Sequence, residues 1–196
     1  MKRIFDIIAS GCGLLVLSPL FIILAIWIKI DSKGPVFYKQ IRVGQYNKDF
    51  MLYKFRSMRV GSDKKGLITV GNRDSRITKY GYFIRKYKLD EFPQLINVLI
   101  GDMSLVGPRP EVRKYVDLYT EEQLHVLDVK PGITDLASIR YRNENEILEK
   151  AVNPDEYYTN VVMQDKLKIN LEYVANHSFW YDISLIFKTF WAIVSE

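Results

Sequence analysis

Two adjacent carboxylates, Asp90 and Glu91, and an arginine set between prolines, Pro108–Arg109–Pro110, are the residues of this 196-residue chain best placed to do chemistry. A carboxylate can attack phosphorus and form an acyl phosphate. A hard cation such as Mg²⁺ screens such an attack from the charge on the phosphate oxygens, and arginine grips phosphate through a fork of donors. Further cations are available at Lys54, at Arg85 five residues before the acidic pair, and at Arg142. Each has an ordinary alternative. Asp90 and Glu91 could simply cap a helix, and Arg85 and Arg142 could be surface charge. Arg109 differs, because flanking prolines stiffen its backbone in the manner of a preorganised site.

The elements that must position these residues are legible around them. Pro93 fits only the first turn of a helix. Phe92, Leu95, Ile96 and Leu99 follow at the spacing of one apolar helical face, and Gly101 sits where a helix C′ glycine belongs. Asp90 and Glu91 then lie at a helix N-terminus, where backbone N–H groups favour anions. Val36–Val43 and Phe50–Met58 read as strands joined by a polar turn, with Lys54 on a semi-buried strand. Residues 61–74 read as a loop and Ile77–Tyr87 as a helix. Thr120 and Gln123 have capping-box spacing, Lys130–Gly132 is a turn, and Asn143–Lys150 and Asp155–Val174 read as helices. Ser178–Val194, rich in Phe and Trp, is expected to lie on a bilayer or pack against the N-terminal segment.

Composition closes several routes. One cysteine, Cys12, excludes an internal disulfide and a cysteine-cluster zinc site. Two histidines, His125 and His177, make a histidine-based triad or metal site improbable on number alone. Residues 29–88 hold 16 Lys and Arg against four acids, whereas residues 89–196 hold 10 against 18. A basic half beside an acidic half suits a polyanionic ligand or an anionic membrane surface. The pI near 9.1 would also suit nucleic acid, but no basic-helix or RNA-binding motif is present, so no nucleic-acid partner is expected. Ile7–Ile28 is 22 residues without a charge, enough to cross a bilayer core. Pro19, preceded by Ser18, interrupts it, and Ser18 could supply a partner for the carbonyl that proline frees. Lys2 and Arg3 flank one end, and Lys29 and Lys33 the other, so the positive-inside rule gives no orientation. Length alone favours a simple span; a bend at Ser18–Pro19, with entry and exit on one face, would reconcile the two flanks.

Seven ordered segments carry a family resemblance: KRIFDIIAS, GPVFYKQIRVG, FMLYKFRSM, RDSRITKYGYFIRKYKLDE, GDMSLVGPRPE, KPGIT and YVANHSFWYDI. Together they resemble the monotopic phosphoglycosyl transferases, also called bacterial sugar transferases, over nearly the whole chain. The resemblance implies an α+β, mainly helical, membrane-associated fold with interfacial amphipathic helices. Residues 1–30 would form a re-entrant membrane helix hairpin turning at Ser18–Pro19, and residues 31–196 the catalytic domain on the cytoplasmic face of a bacterial inner membrane. It implies transfer of a phospho-sugar from a UDP-sugar to polyprenyl (undecaprenyl) phosphate, with release of UMP and with Mg²⁺ as cofactor. Asp90 matches the family nucleophile and metal contact, and Glu91 its catalytic partner, which helps arrange the metal or the substrate, so that both acids are implied at the metal. Lys54, Arg85, Arg109, Arg142 and Asn170 match substrate- or phosphate-binding positions. Asp135, Leu136, Ser138, Tyr141 and Asn170 depart from the family pattern, which leaves the sugar open. The competing reading is a membrane-anchored module that binds anionic lipid without catalysis.

Overall fold

Lys2–Asp31 forms one helix, α1, in the computed structural model, which describes every residue except Leu67, Ile68, Val70, Asn72, Arg73, Ser195 and Glu196, and leaves the side chains of Lys64, Lys65, Ile193 and Val194 undescribed. Pro19 lies inside α1, and its missing N–H frees the Leu15 carbonyl. The Ser18 hydroxyl donates to that carbonyl at 2.8 Å, as the sequence suggested. Asp6, Ser10, Leu24 and Ile28 are buried at helical spacing, while Ile4, Ile8, Leu15, Ile22 and Ile26 on the opposite side are exposed. One stripe of α1 therefore packs against the rest of the chain along its length.

Both ends of α1 are tied down. Lys2 Nζ donates to the Val106 carbonyl at 2.9 Å and pairs with Asp182 at 2.6 Å. The Asp6 carboxylate accepts from the Ser104 hydroxyl and the Leu105 N–H. At the other end, Arg56 donates to the carbonyls of Ile28, Ser32, Lys33 and Pro35 and so closes the helix C-terminus. Between the two, Leu24 and Ile28 share a buried cluster with Phe55 and Ile84, each contributing about 1.5–3 kcal/mol of burial.

An antiparallel hairpin follows, β1 (Phe37–Val43) and β2 (Asp49–Phe55), with Phe37 opposite Phe55 and Tyr38 opposite Lys54. The predicted second strand ran on to Met58; the strand ends at Phe55, with one further bond from the Arg56 N–H to the Val36 carbonyl, and Met58 pairs with Ile77 instead. The expected loop over residues 61–74 includes a 3₁₀ turn at Ser62–Lys65, and Leu67, Ile68, Val70, Asn72 and Arg73 of it lie outside the described residues. α2 (Lys79–Lys86), α3 (Gln94–Ile100), α4 (Arg113–Val116) and α5 (Glu121–Leu124) come next, α5 with the full capping box of Thr120 and Gln123. α6 (Leu136–Arg140), α7 (Glu144–Glu149) and α8 (Pro154–Tyr157) precede a π-helical turn at Tyr158–Val162 that runs into α9 (Met163–Asn176); α10 is Phe179–Val194. The start of α10 packs on the start of α1 through Phe5 and Phe179, while Trp180, Phe187, Phe190 and Trp191 stay exposed.

Two features differ from the sequence expectation. The chain has a second, parallel strand pair, β3 (Ser104–Val106) and β4 (Gly132–Thr134), each too short to show a period. On α3 the buried residues are Gln94, Asn97 and Val98, whereas Leu95 and Ile96 are half-buried and Leu99 exposed. The reason is the free edge of β2. Asn97 accepts from the Tyr53 N–H at 3.0 Å and donates to the Met51 carbonyl at 2.7 Å, standing in for a neighbouring strand. That polar duty turns its face inward and leaves the apolar stripe for α1 and the surface.

Candidate active site

The acidic pair sits between two fixed supports. Lys88 adopts the left-handed conformation (φ 55°), reversing the chain after α2. Asp90 and Glu91 then lie in a 3₁₀ turn, Leu89–Glu91, that leads through Phe92 and Pro93 into α3. The expected helix N-terminus is thus present, with a tighter first turn.

The second support is the arginine turn. β3 delivers Gly107, whose N–H donates to the Thr134 carbonyl, and Gly132 N–H donates to Pro108. A Cβ on Gly107 would collide with the Lys130 carbonyl, and one on Gly132 with the Gly107 backbone. Only glycine allows the PRP and PGIT segments to approach this closely. Arg42 braces the turn from β1, donating to the Pro110 carbonyl at 2.8 Å, and Val43 N–H donates to Glu111 at 2.9 Å.

These supports bring Lys54, Asp90, Glu91 and Arg109 together. Arg109 holds both Glu91 oxygens, one of them at 3.1 Å through Nη1, and Lys54 Nζ donates to Oε1 at 3.1 Å. Burial alone would push the Glu91 carboxyl up, but the Arg109 and Lys54 charges hold it well below the usual carboxylate range. Asp90 is 6% exposed, and among the described residues its carboxylate accepts no hydrogen bond. Burial, then the Glu91 charge, push its pKa up, while Lys54, Arg85 and Lys88 pull it down. Burial lowers the Lys54 ammonium against the pull of Glu91. One carboxylate is thus locked as an anion in an ion-paired frame, and its neighbour is buried and uncommitted.

The remaining predicted residues are placed differently. Arg85 is half-buried, acts on Asp90 electrostatically and donates to the Thr69 hydroxyl at 3.2 Å. Arg142 is exposed and donates to the Ala192 carbonyl on α10, apart from the Lys54–Glu91–Arg109 cluster. Asn170 is buried and lines a cavity together with Arg109, Asp135 and Ser138. The sequence reading missed Arg42, whose lone place in a strand carries no chemical signal. It also missed Gln94, one turn after Asp90, buried with its Nε2 unpartnered among the described residues; a glutamine in a helix reads as surface.

The residues fit Mg²⁺ in one way only. Among the described residues no group of three or more His, Cys, Asp or Glu side chains gathers, so no all-protein cage exists. Mg²⁺ is commonly held by one or two carboxylates with substrate phosphates and waters. Asp90, buried and without a hydrogen-bond donor, suits that role; Glu91, already gripped by two cations, suits orienting it.

Residues 1–196 match the family model described as bacterial sugar transferase. The chain is 38% identical over 198 residues to the UDP-N-acetylgalactosamine-undecaprenyl-phosphate N-acetylgalactosaminephosphotransferase of Aeromonas hydrophila, covering 100% of this chain and 44% of that protein. It is 40% identical over 192 residues to the UDP-glucose:undecaprenyl-phosphate glucose-1-phosphate transferase of Klebsiella pneumoniae, covering 96% and 39%. It is 39% identical over 206 residues to the exopolysaccharide production protein PSS of Rhizobium leguminosarum bv. phaseoli, covering 100% and 94%. The chain thus spans less than half the length of the first two relatives and nearly all of the third.

Proposed function

The chain belongs to the bacterial sugar transferase family, and from that premise we propose that it moves a phospho-sugar from a UDP-sugar to polyprenyl phosphate, releasing UMP, through a covalent intermediate on Asp90. The observation that carries this reading is the split between the two acids. Glu91 is held by Arg109 and Lys54, whereas Asp90 is buried beside it with no donor of its own. A carboxylate kept short of hydrogen bonds retains its lone pairs for attack.

In the first step an Asp90 oxygen bonds to the sugar-bearing phosphorus. The bond from that phosphorus to the bridging oxygen breaks, and its electron pair leaves with UMP. In the second step an oxygen of the lipid phosphate bonds to the same phosphorus and the Asp90 carboxylate departs. Arg109 orients Glu91 and offers its remaining donors to a phosphate, and Arg85 lies close enough to add positive charge. Mg²⁺, held by Asp90 and the donor phosphates with Glu91 beside it, would supply charge neutralisation.

The lipid substrate places the domain at a membrane, and we read α1 as entering and leaving the cytoplasmic leaflet of a bacterial inner membrane on one side. Lys2 is bound to Val106 and Asp182 while Arg56 holds the Ile28 carbonyl, so the same domain grips both ends. A full span would set those ends on opposite sides of a hydrocarbon core of about 30 Å and carry charged groups into it. The Ser18–Pro19 step lies midway, with exposed Leu15, Val16, Ile22 and Ile23 facing lipid.

Purified protein in lipid nanodiscs, given a UDP-sugar and polyprenyl phosphate, should release UMP; chelation should stop the release and Mg²⁺ restore it. Full activity in excess chelator would overturn the metal's role. Binding to anionic vesicles without UMP from any UDP-sugar would favour the non-enzymatic lipid module.

A further inference from the structure

Tyr158 is distant from the acidic pair in sequence, yet its hydroxyl reaches the segment that carries Arg109. It is 4% exposed and donates to Glu111 Oε1. Glu111 Oε2 pairs with Arg42 at 3.6 Å, and Arg42 Nη1 donates to the Pro110 carbonyl at 2.8 Å. Gln40 closes the other end: its Oε1 accepts from Arg42 Nε at 3.0 Å and from Nη2 at 2.8 Å. A continuous run of polar contacts thus joins β1 to Tyr158 past the two residues that follow Arg109. Tyr158 opens the π-helical turn Tyr158–Val162, and such turns are uncommon and often lie at functional sites. Burial, then the Glu111 charge, push the Tyr158 hydroxyl well above its ordinary value, so it remains a donor at neutral pH.

The run is costly as mere packing. Burial lowers the Arg42 guanidinium, Glu111 pulls it back up, and the neighbouring Arg109 charge lowers it further. An apolar contact would join β1 to this segment without desolvating a second cation beside the first. What the polar contacts add is direction, because a hydrogen bond fixes the orientation of the carbonyl it meets. The close approach of Gly107 and Gly132 holds the chain before Arg109; Gln40, Arg42, Glu111 and Tyr158 hold it after. We propose that Tyr158 and Gln40 are positioning residues for Arg109: through Glu111 and Arg42 they set the peptide that follows it, and so the angle at which its guanidinium meets Glu91 and the donor phosphate. The inference rests on the phosphoglycosyl transferase reading and extends its machinery to two residues that act through Arg109 alone.

Tyr158→Phe removes only the hydroxyl, and Gln40→Leu removes the acceptor that Arg42 uses. Each variant, and the two combined, are compared with wild type in nanodiscs, with melting curves to show that each is folded. The readouts are the first-turnover rate of UMP release at saturating UDP-sugar and the KM for that UDP-sugar. Each single substitution should lower the first-turnover rate about tenfold or more, as expected when a catalytic group is misplaced, with KM changed less. The double variant should be no slower than the slower single one, since both substitutions loosen the same arginine. A first-turnover rate within twofold of wild type in either folded single variant overturns the proposal. So does a double variant in which the two losses multiply, because that is the mark of two independent structural contributions. Gln40→Leu carries the test alone if Tyr158→Phe does not fold. Wild type that releases no UMP from any UDP-sugar overturns the transferase reading instead.

Discussion

Glu91 shares its carboxylate with two cations, while Asp90, next to it in the chain, shares its own with none among the described residues. Sequence shows two equivalent acids; the fold makes them unequal by setting Lys54 and Arg109 around only one. The inequality has a measurable consequence in stability. The folded pKa of Glu91 lies below its unfolded value. Its contribution is therefore complete above the unfolded value of about 4.3 and is lost as pH falls through the folded value. Removing Arg109 takes away the first of the charges that lower it. Arg109→Met should cost about 1–3 kcal/mol at neutral pH, between an exposed and a buried ion pair, because both partners are half-buried. In melting curves recorded without metal, the loss of stability as pH falls below about 4.3 should be smaller than in wild type, because the folded and unfolded Glu91 pKa values then lie closer together. An unchanged acid profile would show that Arg109 does not set the Glu91 charge.

At the scale of elements, α1 is where sequence and structure must be read together. Length without charge argues for a span, and the tertiary contacts of Lys2, Asp6 and Ile28 show that both ends of the continuous helix touch the same domain. With a cysteine inserted after Met1, or in place of Lys33, on a Cys12→Ser background, neither should react with a membrane-impermeant reagent in intact cells. Replacing Ser18 and Pro19 together with leucine removes the proline step inside α1, and the N-terminal cysteine should then become reactive from outside. Labelling of that cysteine in the parent protein, with position 33 protected, would mean an ordinary span. The longer helices, the β1–β2 hairpin and the capping box were legible because their signals are local: a period, a turn, a cap. β3, β4 and the buried face of α3 were not. Three-residue strands have no period, and the inward turn of α3 is set by Asn97 reaching backbone groups of residues 51 and 53, more than 40 positions away.

Over the whole molecule, the sequence places its chemistry in five distant segments, and the fold converges three of them on one point. Lys54 comes from β2, Asp90 and Glu91 from the turn before α3, and Arg109 from the turn after β3. Arg142 remains at α10, and Asn170 lines a cavity together with Arg109. The residues of the acidic pair and the PRP turn were legible by type. That Arg109 clasps Glu91 and leaves Asp90 alone was not, because it depends on the glycine-to-glycine approach of two segments 25 residues apart. The central claim is that this arrangement makes Asp90 the atom donor to phosphorus. Intact-protein mass spectrometry tests it most directly: protein is mixed with a UDP-sugar and Mg²⁺ while the lipid acceptor is withheld. The account predicts a mass increase of one phospho-sugar, located on Asp90 by fragmentation, cleared when polyprenyl phosphate is added, and absent in a folded Asp90→Asn variant. An adduct on another residue, or normal turnover by Asp90→Asn, would contradict it.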